Sequence, residues 1–97
     1  MKNKYQEGNT VYKISLLEYE LLKYYFHKGY KYIARNNDES LFIYRNKPQR
    51  INYEWCVNGY RAIDFKDLFS FIKWEDEEPT LIQNILDNCE VVDNEKI

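Results

Sequence analysis

A helix is the clearest element in the pattern of apolar and polar positions. Residues Ser15 to Glu18 form an S-x-x-E capping box, in which a hydroxyl and a carboxylate each satisfy a backbone N–H at the helix start. Leu17, Leu21 and either Tyr24 or Tyr25 then recur at helical spacing, and Leu22 and Phe26 widen this apolar stripe. Gly29 offers a left-handed stop. The pattern predicts a helix over Leu16–Lys28, preceded at Val11–Ile14 by either a short strand or the lead into the helix.

Two β-hairpins are predicted after the helix. The β-prone runs Tyr30–Arg35 and Leu41–Arg45 flank a polar turn at residues 36–40, which is typical of an antiparallel hairpin. The runs Tyr53–Val57 and Tyr60–Ile63 flank Asn58-Gly59, a pair that readily reaches the positive φ of a tight turn. Together these runs predict an antiparallel sheet of three to four strands.

Two further helices complete the predicted fold. Asp64 is placed to cap a short middle helix over Phe65–Phe71. An acidic run ends at Pro79, which suits a first helical turn, and an apolar stripe follows. These features predict a carboxy-terminal helix over Pro79–Asn88. The expected fold is α+β, with the sheet packed against the amino-terminal helix and with residues 1–10 and 89–97 as loose termini.

Length and charge bound the class of protein. The chain has 97 residues, enough for a single domain spanning residues 1–97 with a small core. Residues 1–50 carry ten Lys/Arg against five Asp/Glu, a net of +5, and residues 51–97 carry four against eleven, a net of −7. Such a field steers charged partners, provided that the two halves do not interleave. No apolar run approaches the ~20 residues that span a bilayer, so we expect a cytoplasmic protein.

Reactive side chains are few. His27 is the only histidine, and it lies in the last helical turn, where its charge suits the helix dipole. Cys56 and Cys89 are far apart and have no CxxC partner, which disfavours a disulfide or a zinc site. The consecutive acids at 75–78 cannot all face one cation. We therefore expect no enzyme: no catalytic residue, no metal and no cofactor.

Two binding surfaces remain as hypotheses. The first is a protein-binding segment that combines an aromatic ring with acids: Trp74, Glu75, Asp76, Glu77 and Glu78. The alternative is a basic, tyrosine-rich hairpin that binds nucleic acid through four cations: Lys31, Arg35, Arg45 and Arg50. The net charge of −2 disfavours nucleic acid, and a homodimer stays open.

Two stretches carry a resemblance. Leu68–Pro79, with the letters LFSFIKWEDEEP, and Tyr30–Arg35, with the letters YKYIAR, are similar to a group of small proteins from phages and prophages of low-GC Gram-positive bacteria. The resemblance implies an accessory protein in the cytoplasm of a bacterial host. Proteins of that kind often bind a host or phage protein and inhibit it, as inhibitors of CRISPR and restriction systems do.

Overall fold

The computed structural model describes residues 11–59, 61 and 65–92. In chain order, the elements within these ranges are β1 (Tyr12–Ile14), α1 (Leu16–His27), β2 (Tyr32–Arg35), β3 (Leu41–Tyr44), β4 (Gln49–Ile51), β5 (Glu54–Cys56), β6 (Thr80–Leu81), α2 (Ile82–Asp87) and β7 (Cys89–Val91). The fold is α+β, as the sequence predicts.

The capping box sets the start of α1. The backbone N–H of Glu18 donates to Ser15 Oγ at 3.1 Å, and Glu18 Oε1 accepts the N–H of Ser15 at 2.8 Å. The helix ends at His27, and Gly29 follows with φ +96°. The predicted helix is therefore confirmed. The segment before it is a strand, because β1 pairs in parallel with β7.

The first predicted hairpin is also confirmed. Strands β2 and β3 pair antiparallel, and β6 pairs antiparallel with the other side of β2, so the sheet order is β3-β2-β6. The turn between β2 and β3 is closed by the N–H of Asn36, which donates to the Ser40 carbonyl at 2.8 Å. Asp38 Oδ1 accepts both the N–H and the hydroxyl of Ser40.

A further hairpin, which the sequence does not predict, lies at residues 49–56. Strand β4 pairs with β5 around a two-residue turn at Asn52-Tyr53, and Asn52 has φ +56°. Asparagine tolerates this left-handed conformation, so the turn uses the chemistry expected of Asn58-Gly59 at an earlier position. The predicted strand 60–63 lies outside the described residues except for Arg61, which bridges Tyr44 in antiparallel fashion.

The predicted middle helix is wrong. Residues 65–71 form consecutive turns, and Phe69 has φ +55°. The Arg35 guanidinium donates hydrogen bonds to the carbonyls of Lys66, Leu68 and Phe69, which lie 31 to 34 residues away in the sequence. These long-range bonds, and not a helical hydrogen-bond ladder, hold the stretch.

The carboxy-terminal prediction is partly wrong. Helix α2 begins at Ile82 and not at Pro79, because Thr80 and Leu81 extend the central sheet as β6. Cys89–Val91 are not a loose tail: they pair with β1 as β7. The other residues predicted to be loose, 1–10 and 93–97, lie outside the described residues.

Among the described residues, most of the buried apolar side chains fall into two clusters. The larger joins α1, the sheet, the 65–72 turns and α2 through eight buried residues: Leu22, Ile33, Leu41, Ile43, Phe69, Ile72, Ile82 and Ile85. The smaller contains Ala34, Tyr44 and Trp55 and is covered in part by Trp74. No helix within the described ranges is long and apolar enough to cross a membrane.

Candidate protein-binding surface

The stretch Trp74–Glu78, here called the acidic segment, has a defined backbone. The N–H of Asp76 donates to the Lys73 carbonyl at 3.1 Å, and Asp76 Oδ2 accepts the N–H of Lys73 at 3.0 Å. The Asp76 carboxylate is thus used within the turn. Glu75, Glu77 and Glu78 are exposed, so the turn presents these three carboxylates to solvent.

Arg50 fastens the acidic segment to the β4–β5 hairpin. Its Nη2 donates to the Trp74 carbonyl and to the Asp76 carbonyl, the latter at 2.8 Å. Its guanidinium also lies 3.7 Å from the centroid of the Trp74 ring and 4.6 Å from that of Trp55. Contacts of this kind contribute about 0.5–2 kcal/mol each according to their exposure. The segment is therefore held from both its backbone and its ring.

The two tryptophans extend this attachment into the core. Their rings meet edge to face, with centroids 6.5 Å apart. Trp55 is buried, and its carbonyl accepts a 3.3 Å hydrogen bond from the hydroxyl of buried Tyr44. Burial raises the pKa of Tyr44 to about 12, so this hydroxyl stays protonated as a donor at neutral pH.

The basic and acidic halves of the chain interleave here. Besides Arg50, Lys47 Nζ lies 3.3 Å from Glu78 Oε1, with side chains 59% and 73% exposed. A pair so exposed contributes less than about 1 kcal/mol. The sequence predicts a separation of charge only if the basic and acidic halves of the chain stay apart. Here residues of the two halves are in contact, so the separation is reduced.

Arg35 is a second internal arginine. It donates to five main-chain carbonyls, those of Glu39, Lys66, Leu68, Phe69 and Ile72, at 2.6–3.1 Å. These bonds join the turn after β2 to the turns at 65–72, immediately before the acidic segment. Its side chain serves as a structural tie between two loops.

The cations considered for nucleic acid have different environments. Arg35 and Arg50 both donate to main-chain carbonyls of the 65–78 stretch. Lys31 is exposed, and the Arg45 guanidinium lies 4.9 Å from the centroid of the Tyr30 ring. Three of the four cations, Arg35, Arg45 and Arg50, therefore make contacts within the molecule.

A cleft of about 360 Å³ lies beside the acidic segment, between the turn after β2 and the turns at 66–75. Its wall includes Asn37, Glu39, Asp67, Trp74 and Glu75. The cleft is open and polar. Within the described ranges, no group of three His, Cys, Asp or Glu side chains is arranged to hold a metal ion.

One prominent residue was missed from the sequence. Tyr53, at the tip of the β4–β5 hairpin, is 70% exposed, and its carbonyl accepts the Asn37 N–H at 3.2 Å. Its neighbour Asn52, a residue that tolerates a left-handed turn, was the available signal. In the sequence, the Asn58-Gly59 pair is the stronger turn signal, and Tyr53 falls within a predicted strand.

Comparison with known proteins adds no relative. No protein-family model matches the chain, and searches of curated proteins and of solved structures give no match.

Proposed function

We propose that this protein is a non-catalytic accessory protein that binds a basic surface of a host or phage protein and inhibits or modulates it. The acidic segment is the contact surface, and the setting is the cytoplasm of a phage-infected or prophage-carrying bacterium. One observation carries the proposal: Arg50 fixes the backbone of the segment while Glu75, Glu77 and Glu78 stay exposed.

Preorganisation is the physical reason why this arrangement suits binding. A loop that must become ordered on binding loses part of its interaction energy to conformational entropy, and a prefolded loop avoids that loss. Carboxylates on its outer side attract a basic partner and accelerate association. Within the segment, the half-buried Trp74 ring packs against buried Trp55 and the Arg50 guanidinium, which supports the backbone that carries the carboxylates.

Charge reversal tests the proposal. The variant Glu75→Lys, Glu77→Lys, Glu78→Lys keeps Asp76, because its carboxylate closes the turn. A matched control changes the net charge equally at exposed acids elsewhere: Glu20→Lys, Asp87→Lys and Glu90→Lys. Each protein is immobilised and incubated with lysate of a low-GC Gram-positive host, and the bound proteins are quantified by mass spectrometry.

We expect the wild type and the control to retain the same bound protein, and the first variant to lose it. Equal retention by all three folded proteins would contradict the proposal. A gel shift with single- and double-stranded DNA and RNA at low salt tests the alternative function, which is nucleic-acid binding. A shift that weakens steeply with salt and is reduced by Lys31→Ala would favour nucleic acid over the proposed protein partner.

A further inference from the structure

The β4–β5 hairpin carries an exposed ring on a rigid support. Tyr53 is 70% exposed and Ile51 is 53% exposed, although both lie in a well-paired hairpin. The two-residue turn is tight, and the N–H of Asn37 binds the Tyr53 carbonyl from the neighbouring loop. The backbone beneath the tyrosine is therefore held on two sides, while its ring faces solvent.

This ring borders the same surface as the acidic segment. Asn37, whose backbone contacts Tyr53, also lines the cleft that Trp74 and Glu75 line on the other side. The hairpin tip, the cleft and the acidic segment are thus consecutive parts of one face.

The charge of this face is acidic. Its carboxylates outnumber its cations: the acids are Asp38, Glu39, Asp67, Glu75, Asp76, Glu77 and Glu78, and the cations are Arg35, Lys47, Arg50, Lys66 and Lys73. Hydrogen bonds from Ser40 lower the pKa of Asp38, which therefore stays ionised at neutral pH. This excess of carboxylates beside an exposed ring suits a partner that is basic around an apolar slot.

We infer that Tyr53 is the aromatic anchor of this face, and that the partner is a protein with a cationic surface beside a slot for a tyrosine ring. The inference rests on the proposed function and names a contact beyond the acidic segment. Tyrosine anchors contribute a large contact area at a small entropic cost, because only two side-chain torsions become ordered.

Tyr24 provides a matched comparison. It is also an exposed tyrosine, 55% accessible, but it lies on the outer side of α1. Its ring packs at 5.0 Å against Tyr25 and beneath the Lys28 ammonium, and no contact joins it to the cleft or the acidic segment among the described residues. Truncation at Tyr24 removes the same ring from a different surface.

The test uses the protein whose capture from host lysate is lost with the triple Glu→Lys variant at 75, 77 and 78. We expect Tyr53→Ala to reduce its retention at least about 10-fold, since aromatic anchors account for most of an interface's affinity. Tyr53→Phe should stay within about 3-fold of wild type, because the ring area is kept, and Tyr24→Ala within about 2-fold.

The salt dependence of retention separates the contribution of the Tyr53 ring from that of the carboxylates. Retention by Tyr53→Ala should keep the salt dependence of the wild type, while the residual retention by the triple variant should lose it. Circular dichroism melts check that each variant is folded. Charge-dependent capture that Tyr53→Ala leaves unchanged would overturn this inference and leave the proposed function standing. Absence of any charge-dependent capture would overturn both.

Discussion

Replacing Arg35 with alanine tests how the irregular 65–72 stretch is held. The guanidinium donates to five main-chain carbonyls, and three of these bonds, to Leu68, Phe69 and Ile72, are partly buried. No regular hydrogen-bond ladder backs up this stretch. Loss of the side chain therefore leaves the carbonyls to water or without a donor.

The size of the effect follows from the partly buried bonds. A hydrogen bond between a charged donor and a neutral acceptor contributes about 1.5–3 kcal/mol, and bonds that share one guanidinium are not additive. Taking about 1 kcal/mol for each of the three gives a loss of about 3 kcal/mol for Arg35→Ala. Small domains have a total free energy of unfolding of about 5–15 kcal/mol, so the loss is a large fraction.

Urea unfolding measures this loss. Trp55 and Trp74 are the two tryptophans of the chain, so their fluorescence follows unfolding near the affected loop. Arg35→Lys should lose about 2 kcal/mol, because an ammonium cannot reach several carbonyls at once. Lys31→Ala removes an exposed cation and should stay within about 0.5 kcal/mol. An Arg35→Ala protein within about 1 kcal/mol of wild type would refute the reasoning.

Two further predictions concern a carboxylate and a phenol. Glu18 Oε2 accepts the N–H of Phe69 at 2.6 Å in addition to its role in the capping box. In urea unfolding, Glu18→Gln should therefore lower the free energy of unfolding by about 1–3 kcal/mol, and Glu20→Gln, at an exposed position, by less than about 0.5 kcal/mol. Equal losses for the two variants would contradict the link between Glu18 and Phe69. In the folded protein the pKa of Tyr44 is raised to about 12 from 10.0, so the fold favours the protonated hydroxyl. The stability that this hydroxyl contributes is therefore fully present below pH 10 and is lost as the pH rises through 12. The wild type should therefore lose about 1.4 kcal/mol relative to Tyr44→Phe between pH 9 and pH 11, and parallel stability curves for the two proteins would count against a buried hydroxyl.

Local signals explain what the sequence could reveal. The capping box of α1 and the hairpin β2–β3 depend on residues close together in the chain, and both form as predicted. The 65–71 stretch has helix-like apolar residues, but Glu18 and Arg35 bind its backbone from more than 30 residues away. Hydrogen bonds between residues so far apart in the chain produce no periodic pattern in the sequence.

The same limit applies to the candidate surface. The acidic segment could be identified from composition, but its attachment by Arg50 could not, because 24 residues separate Arg50 from Trp74. The charge of Arg50 makes it a candidate for binding nucleic acid, but in the structure its guanidinium donates to the main-chain carbonyls of Trp74 and Asp76. Strand β7 was missed for a related reason: its parallel partner β1 lies at the other end of the described chain.

Chemical-shift mapping tests the central claim most directly. The ¹⁵N-labelled protein is titrated with the purified partner that charge-dependent capture identifies, and amide shifts are followed by NMR. We predict the largest shifts at Asn37, Tyr53 and residues 75–78, with residues 17–24 of α1 unchanged. Shifts concentrated on α1, with the acidic segment unaffected, would contradict the account.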